Sequence, residues 1–280
     1  MTYRTILVHL DRTGASRART EIAAQCARAH GGHLVGLVST GLIDGIIPAE
    51  EILSGATDYI AECADYLRNR AEAISREFRE HVSSGGPLSH EVRLIDAVTV
   101  DAVVRHGRAS DLVVLGQRDD AAVKDITARD LPQQVVMEVG RPVLLVPYAG
   151  HFEGVATNVA VAWDGSREAA VALRAALPAL KLATKVTMLS CRAAHDDGAD
   201  AHLLVPEVVQ YLQRHGIQAT FEREVTEIDV ADALLSRISD LGANLLVMGG
   251  YGHSRFRELM LGGVTRQILA QMTVPVLMAH

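Results

Sequence analysis

Aromatic residues are scarce in this chain: one Trp, four Phe and six Tyr, or 4% of 280 residues. A core with so few rings has to be built from Val, Leu, Ile and Ala, the composition of parallel sheets buried on both faces. Cysteine is scarcer still. Cys26, Cys63 and Cys191 show no CxxC spacing and are odd in number, which argues against a disulfide framework or a zinc ribbon and fits a reducing compartment. There is no basic excess: 27 Lys and Arg face 34 Asp and Glu, for a net charge of −7. Phosphate neutralisation on a nucleic acid needs clustered cations, so no nucleic-acid partner is expected, although one small basic pocket is not excluded.

Long apolar runs are missing too. None approaches the ~20 residues that a bilayer span requires. MTYRTILVHLD reaches an acid after a short apolar run and lacks the shape of a signal peptide. These absences predict a soluble, cytoplasmic protein without a membrane partner. The twelve histidines form no HxxxH or HExxH pairing and the acids no helical metal spacing, so no metal site is expected. No GxSxG elbow points to serine-hydrolase chemistry.

What the chain does have is alternation. Short branched runs predict strands over Thr5–Leu10, His33–Ser39, His90–Ile95, Asp111–Gly116 and Val143–Val146. Between them, helical patterns cover about Ser16–His30, Ala56–Val82, Val98–Arg108 and Pro132–Val139. Pro147–Gly154 reads as a linker, and the order then repeats. Strands are expected over Asn158–Trp163, Lys185–Cys191, Gln218–Glu224, Asn244–Met248 and Val274–Met278. Helices are expected over Arg167–Leu182, Val205–His215, Val230–Leu241 and Val264–Met272.

The repeat is visible in residues as well as in pattern. ASDLVVLG at Ala109–Gly116 parallels GANLLVMG at Gly242–Gly249, and Asp11 follows the first strand as Asp164 follows the sixth. An internal duplication into residues 1–149 and 150–280 follows. Alternating strands and helices imply parallel sheets with right-handed crossovers and helices on both faces. Ligands of such sheets sit beyond the carboxyl ends of the strands, where the strand order switches. Asp164 and Gly249 each follow a strand, so their loops can reach one crevice.

The densest signal lies at Leu245–Met272. A buried-strand run ends at Gly249-Gly250, glycines return at Gly252, Gly262 and Gly263, and a helical pattern opens at Val264. Glycine lets loop backbone approach an anion closely, and a helix N-terminus offers free N–H groups. The spacing is neither a Walker A loop nor a dinucleotide fingerprint. Gly249-x2-Gly252-x9-Gly262-Gly263 resembles the G-x2-G-x9-G-(S/T) nucleotide motif of the universal stress protein family, departing at its last position. The doubled strand and helix order is similar to a tandem member of that family over essentially the whole chain.

The resemblance implies two tandem doubly wound, five-stranded parallel-sheet α/β domains, Rossmann-like and packed as a pseudo-two-fold pair. It implies ATP or a related adenine nucleotide, with or without Mg²⁺, bound in the second half during a stress response. The residues it marks are Asp164 and Cys191 toward the adenosine, then Gly249, Gly252, Gly262, Gly263, Val264 and Thr265 around the phosphates. His253, Ser254 and Arg255 follow Gly252; Arg255 is either a phosphate partner or a solvated loop cation. Asp164 is either a ribose acceptor or, with Gly165 and Ser166, a turn and helix cap. Gly263 keeps a backbone N–H but lacks the family's hydroxyl, which Thr265 can offer instead.

The first half lacks the glycines: Gly116 is followed by Gln117-Arg118-Asp119-Asp120, and the three acids Asp119, Asp120 and Asp125 would repel phosphate. It reads as a degenerate copy. Nothing in the loop supplies the carboxylate-held metal and positioned nucleophile of phosphoryl transfer, so binding without efficient turnover, and no enzyme, is expected. The other readings are a non-nucleotide interaction scaffold and a slow nucleotide hydrolase. An unknown protein partner and a homodimer are further expectations, with Val143–Val146 and Val274–Met278 able to pair inside one chain.

Overall fold

The computed structural model describes residues 2–41, 57–118, 130–150, 152, 154, 156–194, 203–251 and 263–280. Ten strands and eight helices alternate along these residues. The first half carries β1 (Thr5–His9), α1 (Ser16–His30), β2 (His33–Ser39), α2 (Thr57–Ser84), β3 (His90–Ile95), α3 (Thr99–Gly107), β4 (Leu112–Gly116), α4 (Leu131–Glu138) and β5 (Val143–Val146). The second carries β6 (Asn158–Ala162), α5 (Arg167–Leu180), β7 (Lys185–Ala193), α6 (Val205–Arg214) and β8 (Ala219–Thr226). It continues with α7 (Val230–Asp240), β9 (Leu245–Gly249), α8 (Gly263–Gln271) and β10 (Val276–Ala279). Predicted boundaries and these elements agree to within about two residues, the usual scatter of helix and strand ends.

The chain forms two compact units, Tyr3–Arg141 and Pro142–His280. In the first, the strand order is β3-β2-β1-β4, all parallel. Register sets Leu7 opposite Val35 on one side and Val113 on the other. The inner strands β1, β2 and β4 are apolar at nearly every position because helices cover both faces, whereas β3 at the edge (HEVRLI) is mixed; Ile6, Leu7, Leu34, Leu37 and Leu115 have no exposed surface. Gly31 closes α1 at φ +57, and its N–H reaches the carbonyls of Ala27 and Arg28.

In the second unit the order is β5-β10-β9-β6-β7-β8. Five of these strands are parallel, and β5 runs antiparallel to β10 with Leu144 opposite Leu277. By sequence β5 ends the first repeat; by hydrogen bonding it belongs to the second unit. The intrachain pairing of Val143–Val146 with the last strand is thereby observed. Ser166 caps α5 by accepting from Ala169 N–H at 3.1 Å, and Asp229 caps α7 by accepting from Ala231 N–H at 2.8 Å.

The duplication extends to strand entry. Asp111 Oδ2 accepts from the N–H groups of Arg4 and Thr5 at 2.7 and 2.9 Å. Asn244 Oδ1 does the same for Thr157 and Asn158 at 3.1 and 3.0 Å. Each clamp joins the start of a unit's central strand to the strand beside it. The order of each sheet reverses direction there, between β1 and β4 and between β6 and β9, and this fixes where a crevice opens.

Candidate functional site at the β6 and β9 ends

Register brings the predicted residues of the second unit to one level. Ala162 stands opposite Leu189, which sets Asp164 level with Cys191, while Val161 opposite Val247 aligns Trp163 with Gly249. Trp163 is buried and donates from Nε1 to Leu203 O at 2.7 Å, fixing the chain as it leaves β6. Asp164 then turns outward. It is exposed, and its Oδ1 accepts from Ser166 N–H at 2.9 Å. That bond is the turn expected of Asp-Gly-Ser, and Oδ2 points to no ion-pair partner among the described residues.

Gly249 has a packing reason of its own. A Cβ there would lie 2.6 Å from Ala169 N, 2.7 Å from Glu168 C and 2.9 Å from Glu168 Cβ. Only glycine lets the end of β9 rest against the first turn of α5. Gly263, at the start of α8, is the opposite case: no described residue lies within 4 Å of a Cβ built on it. Gly263 is exposed and Val264 half-buried. Thr265 is buried, and its Oγ1 accepts from Tyr251 N–H at 3.3 Å. Its side chain ties the two ends of the loop together rather than standing open to solvent.

Cys191 is half-buried with Sγ 3.9 Å from Val230 O. Burial, with the Glu224 carboxylate adding to it, pushes its thiol up to about 11. A thiol so held is a poor nucleophile. Gly252, His253, Ser254, Arg255 and Gly262 lie outside the described residues. Among the described residues, then, the structure joins Asp164, Cys191 and Gly249 at the strand ends, and Gly263, Val264 and Thr265 at the helix that follows.

The equivalent crevice in the first unit is filled from within. Arg19, only 2% exposed, places Nη2 2.8 Å from Asp11 Oδ2. Asp11 Oδ1 accepts from the N–H and hydroxyl of Thr13 at 2.9 and 2.6 Å. A Cβ on Gly116 would run into Arg19 Nη1, so that glycine makes room for a guanidinium. Burial alone would raise the Asp11 carboxyl, but Arg19, His9 and the Thr13 bonds outweigh it and hold the group below the carboxylate range. His9, buried beside them, is lowered to about 4 by desolvation, with Asp11 opposing and Arg19 assisting. Sequence reasoning missed Arg19 because a cation one turn into a helix ordinarily faces water; the glycine at Gly116 was its one signal. Arg118, also in this half, lies 3.7 Å from Asp130.

Two units with doubly wound, largely parallel sheets flanked by helices define a Rossmann-like α/β fold. Residues 156–280 match the model of the universal stress protein family. A universal stress protein of Synechocystis is 24% identical over 237 residues, 83% of this chain and 80% of its own length. One from Thermus aquaticus is 26% identical over 148 residues, 51% of this chain and 98% of its own. The crystal structure of a universal stress protein from Archaeoglobus fulgidus superposes with a TM-score of 0.76 at 16% identity, covering 100% of this chain and 99% of that one. Residues 156–280 carry a domain of the universal stress protein family, and the chain as a whole is similar to members of that family. No helix among the described residues is long and apolar enough to cross a membrane.

Proposed function

We propose that the chain is a nucleotide-responsive regulator of the stress response, acting in the cytoplasm, that binds ATP or a related adenine nucleotide in its second unit without efficient turnover. The observation that carries this reading is the asymmetry of two equivalent acids. Asp11 is consumed by buried Arg19. Asp164 is exposed at the end of β6, level with Cys191 and beside the glycine loop. A ribose hydroxyl can donate to Asp164, and the N-terminus of α8, where Gly263 is exposed, suits phosphate. One nucleotide per chain is the expected stoichiometry, and occupancy of the loop would alter contacts with a protein partner.

The residues present fit such a ligand, with one weakness. Gly263 has no hydroxyl, and that of buried Thr265 already closes the loop. This favours, as a second reading, a scaffold whose pocket has given up its ligand. Gly263→Ser separates the two, since no described residue lies within 4 Å of the Cβ. A charge-assisted hydrogen bond of about 1.5–3 kcal/mol strengthens binding roughly 10–150-fold. Titration calorimetry of both proteins with ATP is the test, after nucleotide released by denaturation has been identified by mass spectrometry. Weak binding tightened by serine supports the sensor; binding only by the variant supports the scaffold; silence from both refutes the nucleotide reading. Mg²⁺-dependent phosphate release above that of a Gly249→Val control would overturn the absence of turnover.

A further inference from the structure

The loop after β9 begins with a peptide that is held from every side. Gly250 N–H donates to Ala279 O at 2.9 Å, one rung beyond the ladder that sets Gly249 opposite Ala279. The next peptide unit, Gly250–Tyr251, has one acceptor and one donor, and each meets a side chain. His280 Nδ1 lies 3.0 Å from Gly250 O. Tyr251 N–H reaches Thr265 Oγ1 at 3.3 Å. A carbonyl can only accept, so this contact requires the proton on Nδ1. The two side chains arrive from different elements, one just beyond β10 and one from the first turn of α8.

Tyr251 shows why a clamp is needed. Its φ is +56, in the left-handed region that a bulky residue avoids, and its side chain is buried. Such a conformation persists only where its surroundings over-determine it. Here Gly249 is wedged on α5, Gly250 is pinned to β10, and the carbonyl and N–H on either side of the next bond are both bound. The result is a fixed backbone orientation at Gly250 and Tyr251, just beyond β9.

We propose that His280 is a positioning residue of the nucleotide site, holding the Gly250–Tyr251 peptide in the orientation from which the loop leaves β9. The inference rests on the nucleotide reading above. His280 acts through the Gly250–Tyr251 peptide and not on the ligand. Without its Nδ1–H, the Gly250 carbonyl loses its partner and the peptide keeps only its Thr265 bond, so other orientations become populated. Ligand must then select the competent fraction, and apparent affinity falls by that fraction.

The test uses the full chain as wild type, His280→Ala and His280→Asn, whose amide N–H can replace Nδ1–H. ATP affinity is measured by calorimetry, alongside melting temperature. A long-range ¹H–¹⁵N spectrum of the imidazoles is recorded near pH 8, where histidine is neutral. The alanine variant is expected to bind about three- to tenfold more weakly, the worth of one neutral hydrogen bond. The asparagine variant should recover most of that loss, and ligand-free His280 should show the Nδ1–H tautomer. Wild-type affinity in the alanine variant, an asparagine variant as weak as alanine, or an Nε2–H tautomer would each overturn the inference. A wild type that binds no ATP refutes the nucleotide reading and the inference with it; a wild type that binds while alanine changes nothing refutes the inference alone.

Discussion

Gly249→Ala is the sharpest perturbation the structure offers, because two explanations of that glycine predict different results. The new methyl would sit 2.6–2.9 Å from the backbone of Glu168 and Ala169 and the Cβ of Glu168. None of these atoms is the free end of a flexible side chain, so the first turn of α5 must move away from β9. Overpacking of this kind costs about 1–3 kcal/mol. The gain from a stiffer unfolded chain offsets about 0.4–1 kcal/mol of it. A net loss of about 1–2 kcal/mol lowers the melting temperature of the second unit by roughly 2–8 °C. Calorimetric melting, resolved into separate transitions for the two units, is the assay. Gly263→Ala is the control: with no described residue within 4 Å of its Cβ, it should melt at or slightly above wild type. If glycine is needed at 249 only to let phosphate approach, the alanine variant will lose ATP and keep its melting temperature, and the packing argument is wrong.

Two further outcomes follow from buried groups. His9, lowered to about 4, is held neutral in the folded state, so its contribution is complete above the unfolded value near 6.5 and is lost as pH falls through the folded value. The first unit should lose about 3 kcal/mol between pH 6.5 and 4 through this group. His9→Gln should flatten that slope in urea titrations, and parallel slopes would contradict the assignment. Cys191, raised from 9.0 to about 11, should alkylate roughly a hundredfold more slowly at pH 8 in the native chain than in urea. Equal rates would show its thiol to be unburied.

The fold was legible because parallel strands buried on both faces leave unbroken apolar runs. TILVH, LVVLG, NVAVA and LLVMG announce themselves, and their repetition announces the duplication. The pairing of β5 with β10 was readable for the same reason, as two short apolar strands at equivalent places. Site geometry was less legible. The sequence shows Gly249 but not that α5 requires it, and it shows Thr265 without showing that Tyr251 N–H has claimed its hydroxyl. Arg19 had only Gly116 to signal it, and His280 had nothing. One is a cation on a helix and the other a histidine after a strand, and only the tertiary fold brings Asp11 to the first and Gly250 to the second.

The place of β5 bears on how the molecule can be taken apart. Anyone separating the halves at the linker, between Ala149 and Gly150, would strip the second unit of the strand that covers β10. Val276, Leu277 and Met278 would then present an apolar border with idle backbone groups, a template for whatever strand arrives first. The fragment would behave as an adhesive, recruiting its own kind edge to edge. Cutting before Pro142 instead keeps the seal with the piece that needs it, so eight residues separate a well-behaved reagent from a precipitate.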